Sequence, residues 1–233
     1  MVRITSVHTG RGDEGETDLV GMSRISKSSN RINIVGECDE LNALVGVIRM
    51  ECTRLPIKHA DGALRATVRD IQVVSERCLG RLQNELFDVG AELACPAGEI
   101  PEGMGIINES NSESLLTEID AWLEELEPLS SFILPTGEGP VAWLQVARAV
   151  CRRFERSLVR IREEDGEDSV RPLVLTYVNR LSDWLFVLGR WMTAKLGGEE
   201  VLWVPIAKRP ASDESNRIRL QRENEEAAGQ IDL

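Results

Sequence analysis

Five stretches of this chain repeat apolar residues at intervals of three and four, and each is cut off by proline or glycine. Leu41, Leu44, Val45, Ile48, Cys52 and Leu55 form the first, a helix read from Cys38 that Pro56 ends. Ile71, Val74, Cys78, Leu82, Leu86, Val89 and Leu93 form the second, stopped by Pro96. Ser112 and the acids after it predict a shorter third helix through Leu126, ended by Pro128. Trp143, Val146, Ala147, Val150, Phe154, Leu158 and Ile161 predict a long fourth. Leu173, Tyr177, Leu181, Trp184, Leu188 and Trp191 predict a fifth, closed by Gly197 and Gly198. No segment reads convincingly as a strand, and no internal repeat emerges. The pattern predicts an all-α fold, a five-helix bundle preceded by a glycine-rich loop. Residues 1–205 read as one domain, and residues 206–233 as a polar, poorly ordered tail.

Composition narrows the function. Aromatic residues make up only 4% of the chain, which suits an aliphatic, helix-packed core. A net charge of −12 argues against general nucleic-acid binding, so any anionic ligand needs a concentrated basic patch. Cys38, Cys52, Cys78, Cys95 and Cys151 are scattered without a CxxC pair, as expected of buried apolar fillers in a reducing compartment. The N-terminal residues lack the apolar stretch of a secretion signal, and no run of about 18 apolar residues occurs. A cytoplasmic location away from membranes is expected.

Charge gathers in a few places. In "ARAVCRRFERSLVRIR", Arg148, Arg152, Arg156 and Arg160 recur at spacing four, with Arg153 and Arg162 beside them. A solvated face suits Arg156, Arg160 and Arg162, next to the acidic "REEDGED". An anion site suits Arg148, Arg152 and Arg153, just after the loop "FILPTGEGP". The fifth helix sets Asn179, Ser182, Asp183 and Arg190 in an apolar frame, where they need partners from the bundle or from a ligand. Asp39 and Glu40 read as first-turn residues of the first helix. There the helix dipole favours acids, and pairing with the arginine row is the alternative.

The segment "TGRGDEGET", residues 9–17, places three glycines where the backbone can turn tightly and present N–H groups to phosphate. Other chemistries drop out. There is no GxxxxGK[ST] P-loop and no GxSxG, and His8 and His59 are the only histidines, neither in an ExxH or HExxH motif. A ferritin-like di-metal bundle and a histidine-based triad are both disfavoured.

Taken in order, "TGRGDEGET", "GMSRISK", "VGECDELNA", "LQNELFDVGAELA", "FILPTG", "ARAVCRRFER" and "YVNRLSDWLFVLGR" resemble the motifs of the PduO-type ATP:cob(I)alamin adenosyltransferases over roughly residues 5–205. The resemblance implies a homotrimer with active sites between subunits. It implies transfer of the 5′-deoxyadenosyl group of ATP to cob(I)alamin, with Mg²⁺ carried on the ATP phosphates and no protein residue assigned as its direct ligand. Thr9, Gly10, Arg11, Gly12, Asp13, Gly15 and Thr17 would form the ATP loop, with Lys27 on the phosphates. Arg152 and Glu155 would face the nucleotide, and Asn179 its sugar or phosphates. Asp39 and Arg148 would pair across the subunit interface beside the corrinoid, and Phe132 would lie under the cobalt. Phe186 reads as core. Arg152, Asp39, Arg148 and Phe132 are thus the expected catalytic set. A cobalamin reductase or a B12-dependent acceptor enzyme is an expected partner.

Four positions differ from the family pattern. Gly10 and Arg11 shift its loop arginine by one place, Met22 replaces a glycine, and Thr136 replaces another. Two rival readings use the same bundle: a relative that binds ATP or corrinoid as a sensor or carrier, and a helical scaffold.

Overall fold

Ser29 accepts a hydrogen bond from the Ile32 backbone N–H and so starts the first helix well before the apolar repeat becomes clear. The computed structural model describes His8, residues 10–21, residues 23–208 and Glu223. Thr9, Met22 and the remainder of the tail lie outside the described residues. Among the described residues, five α-helices follow one another: α1 (Asn30–Arg54), α2 (Ala66–Leu93), α3 (Glu109–Leu123), α4 (Pro140–Asp165) and α5 (Pro172–Leu196). α4 packs on α5 and α1, α1 on α2, and α3 on α5. None is long and apolar enough to cross a membrane.

Local chemistry sets most of the ends. The capping box of Asn108 and Asn111 begins α3, whereas Ser112, the expected start, is buried inside it. Pro140 and Pro172 occupy the first turns of α4 and α5, where the missing N–H costs nothing. Gly197 ends α5 in the left-handed conformation at φ 75°.

Three further readings of the sequence need correction. α1 begins at Asn30 rather than Cys38, because Ile34 and Cys38 already face the core and the Ser29 cap precedes them. Asp39 and Glu40 therefore sit in the third turn, and the helix dipole no longer explains them. Trp143 and Val146 fit the helical period of α4 but are exposed, at 39% and 45%, so that helix presents an apolar outer stripe. Strands do occur: β1 (Glu16–Asp18) and β2 (Arg24–Ser26) form an antiparallel hairpin with Thr17 opposite Ile25. It is too short for a periodic signal.

Aliphatic side chains fill the core around Phe154, Tyr177 and Trp184, with Trp122 tilted against Trp184 at 5.3 Å and Trp191 at 5.9 Å. A polar knot crosses it. Arg81 donates to both oxygens of Glu85 and to Glu118, the Tyr177 hydroxyl donates to Glu85 at 2.7 Å, and the Trp184 indole donates to Glu118 at 2.6 Å. All five cysteines are free and buried.

Candidate functional site

The hairpin caps one end of the bundle. Val20 donates its backbone N–H to Ala94 at the end of α2, while the buried Arg31 of α1 donates to the carbonyls of Leu93, Cys95 and Ser169. The loop before the strands is tied to the second strand and the residue just after it. Lys27 Nζ donates to the Gly12 carbonyl at 2.7 Å, the Lys27 N–H donates to the Gly15 carbonyl, and Arg24 reaches the Arg11 carbonyl, Glu16 and Asp18. Arg11 itself pairs with Asp18 at 3.3 Å. A Cβ at Gly12 would stand 2.9 Å from Lys27 Nζ, so this glycine is what lets the lysine lie against the loop. Gly10, Asp13, Gly15 and Thr17 complete the turn, all but the half-buried Thr17 exposed.

A second cluster lies across α4 and α5. Asn179 Nδ2 donates to Glu155 Oε1 at 2.8 Å, and Arg152 lies one turn before Glu155 on the same helix. The Arg152 guanidinium makes no hydrogen bond or ion pair among the described residues. Asp183, one turn after Asn179, is exposed as a residue. Desolvation of its carboxyl against α4 nonetheless raises its pKa; Arg152 opposes this and Glu155 adds to it. Arg153 is different. It pairs with Glu40 and, at 3.8 Å, with Glu37, so only Arg148 and Arg152 of the expected anion trio keep open guanidinium groups. Arg190 also leaves the expected polar set, since it is buried and bonded to Glu200 and the Glu127 carbonyl.

Phe132 belongs to a third feature, a groove of about 640 Å³ lined by Phe132, Gln145, Arg148, Phe186 and Trp203 among others. Phe132 is 77% exposed and meets Trp203 edge-on at 6.1 Å. The segment after α5 folds back to hold the loop in place. Trp203 donates its N–H to the Phe132 carbonyl and Leu134 donates to Val201, each at 2.7 Å. The Arg190–Glu200 pair anchors that segment to α5. At the far side of the loop Gly137 has φ 144°, and a Cβ there would come within 2.4 Å of Val141. Arg148 is half-buried. Burial and the neighbouring Arg152 lower its pKa, and no carboxylate among the described residues pairs with it.

The features are separated along the bundle. Asn30 bonds Glu164 at 2.6 Å, placing the start of α1, and with it the hairpin, beside the end of α4. Glu155 is nine residues back along α4, about 14 Å at the helical rise. Asp39 is exposed on α1 with no hydrogen bond or salt bridge from its side chain among the described residues. Among the described residues, no group of three or more His, Cys, Asp or Glu side chains is gathered as a metal site.

The family model for cobalamin adenosyltransferase matches residues 7–192, a span that takes in the loop, both arginines and most of the groove. The chain belongs to the cobalamin adenosyltransferase family. It is 38% identical to the corrinoid adenosyltransferase of Mycobacterium tuberculosis over 91% of this chain and 99% of that one. It is 31% identical to a corrinoid adenosyltransferase of Homo sapiens over 87% of this chain and 74% of that one. An alanine-for-phenylalanine variant of the Lactobacillus reuteri PduO-type ATP:corrinoid adenosyltransferase, complexed with cobalamin and ATP, superposes with a TM-score of 0.71. That pair is 29% identical, over 86% of this chain and 100% of that structure.

Against the family pattern, Thr136 replaces the first glycine of the loop pair and Gly137 keeps the second. The retained Gly137 is the one Val141 would reject with any side chain. Trp203 and Gln145 line the groove without standing out in the sequence. The signal for Trp203 is the short alternating run "VLWVP" after the Gly197–Gly198 stop; Gln145 has no local signal at all.

Proposed function

We propose that this protein transfers the 5′-deoxyadenosyl group of ATP to cob(I)alamin, releasing triphosphate, in a homotrimer whose active sites lie between subunits. The observation that carries the reading is the Arg152–Glu155–Asn179 cluster, with its open guanidinium on a chain of net charge −12. In the reaction the Co(I) electron pair forms a bond to C5′ as the C5′–O bond breaks, and that pair of electrons departs with triphosphate. Co(I) is already a strong nucleophile, so the chain's task is to align the two substrates and stabilise the leaving anion. Lys27 and the backbone N–H groups near Gly12 and Gly15 hold the phosphates, with Mg²⁺ bound to ATP. Arg152 adds positive charge, Glu155 fixes Asn179, and Asn179 orients the nucleotide. The groove takes the corrinoid, Phe132 displaces the lower axial ligand of cobalt, and Arg148 meets Asp39 of a neighbouring copy.

Two features favour the shared site. Lys27 and Arg152 lie at different levels of one bundle, and both Asp39 and Arg148 lack an oppositely charged partner among the described residues of their own chain. The exposed stripe of Trp143 and Val146 suits burial against another copy. Buried, free thiols fit a reducing compartment, the cytoplasm. A reductase would supply the electron for cobalt, and a B12-dependent enzyme would accept the product. Anaerobic incubation with ATP, Mg²⁺ and chemically reduced cobalamin tests the reading. Adenosylcobalamin and triphosphate should appear in equal amounts, and ATP binding without either product would favour a sensor or carrier.

A further inference from the structure

Gln145 is buried, 6% exposed, yet polar, and it lines the groove one turn before Arg148 on α4. Its Oε1 accepts from Arg148 Nε at 3.1 Å. The orientation of this amide follows from chemistry, because a guanidinium only donates and the oxygen must face it. Nε2 then points away from the arginine, toward α5, where a Cβ at Gly189 would stand 3.7 Å from it. That nitrogen has no hydrogen-bond partner among the described residues. The nitrogen still reaches solvent, so the one hydrogen bond this amide makes among the described residues is the one that holds Arg148.

We infer that Gln145 is a positioning residue for the corrinoid half of the reaction, acting by fixing the rotation of the Arg148 guanidinium so that its two terminal nitrogens face outward. This rests on the reading of the groove as the corrinoid site. With Nε engaged, an incoming carboxylate or corrinoid meets a fork already set in place, rather than a long side chain free to rotate. Neutrality matters too. A carboxylate at this position would pair with Arg148 inside the chain, whereas an amide oxygen orients the guanidinium and leaves its charge uncompensated.

Gln145→Met keeps the length of the side chain and removes the acceptor. It should raise KM for cob(I)alamin about tenfold while KM for ATP stays within about twofold. In an Arg148→Ala background the same substitution should have little further effect, because the two residues act as one unit. Gln145→Glu keeps an acceptor for Nε but compensates the charge of Arg148, so it should also raise KM for cob(I)alamin while KM for ATP stays within about twofold. Equal changes in both KM values or full additivity with Arg148→Ala would each overturn the assignment. If Gln145→Met does not fold, Gln145→Glu alone decides, and an unchanged KM for cob(I)alamin would overturn the assignment. Failure of the wild-type protein to form adenosylcobalamin would fall on the proposed reaction itself and would take this assignment with it.

Discussion

Between α2, α3 and α5, Arg81, Glu85, Glu118, Tyr177 and Trp184 satisfy one another; between α1, α4 and α5, Asp39, Arg148 and Arg152 do not. Both groups stand on rigid helices backed by the same core. The first is closed, as buried polar groups must be when no solvent or ligand will reach them. The second leaves two arginines and an acid without a salt bridge among the described residues of their own chain, although Arg152 lies near enough to Asp183 to oppose the rise in its pKa. Asp39 and Arg152 are exposed and Arg148 is half-buried, so water solvates them in the free chain and ATP, a corrinoid or another copy can supply the missing contacts.

The contrast is sharpest where the open group is cut. Lys27→Ala and Arg152→Ala should each lower kcat/KM about a hundredfold or more, the scale of removing one donor from a developing anion. Melting temperatures should stay near the wild type, because neither side chain supports the core. Asp39→Ala and Arg148→Ala should each cost roughly tenfold, and the double variant should lose little more than either single one. Wild-type rates in both would break the pairing. Phe132→Ala should slow the reaction starting from cob(II)alamin and a reductant far more than from pre-reduced cob(I)alamin; equal losses would point to packing of the loop.

Cutting the closed group should do the reverse. Tyr177→Phe leaves Glu85 short of one donor and should cost about 1–2 kcal/mol of stability, read from denaturant unfolding, with kcat nearly unchanged. The smallest effects concern the thiols. Burial pushes Cys38 and Cys78 from 9.0 up to about 12, with nearby acids adding to it. The folded protein therefore keeps protons that the unfolded chain releases, and stability should decline as pH rises from about 9 toward 12. At pH 8 an aromatic disulfide reagent should label the unfolded chain and leave the native protein nearly untouched.

The sequence made the helices legible wherever apolar residues recur over three or more turns, and the ends wherever proline, Gly197 or a capping side chain marks them. It misplaced the start of α1 because Gly36 and the β-branched Ile32, Ile34 and Val35 weaken the helical signal there. Periodicity also placed Trp143 and Val146 inside, since a stripe that is apolar for another reason looks the same along one chain. Of the candidate site, Arg152 and Asn179 stood out on two periodic helices, whereas Glu155 entered only through the resemblance of "ARAVCRRFER" to the family motif. The roles of Arg153 and Arg190 were not readable. Whether an arginine is open or tied depends on Glu40 or Glu200, which reach it through the fold rather than through spacing.

The central claim is that one chain's loop works with another chain's helices. Coexpression of Lys27→Ala with Arg152→Ala tests it directly, since each variant alone lacks one half of every site. If sites are shared between copies, mixed oligomers should contain some sites with both residues intact, and adenosylcobalamin formation should reappear well above either variant alone. Mixed oligomers that form yet remain as inactive as the separate variants would show that Lys27 and Arg152 must come from the same chain, contradicting the account.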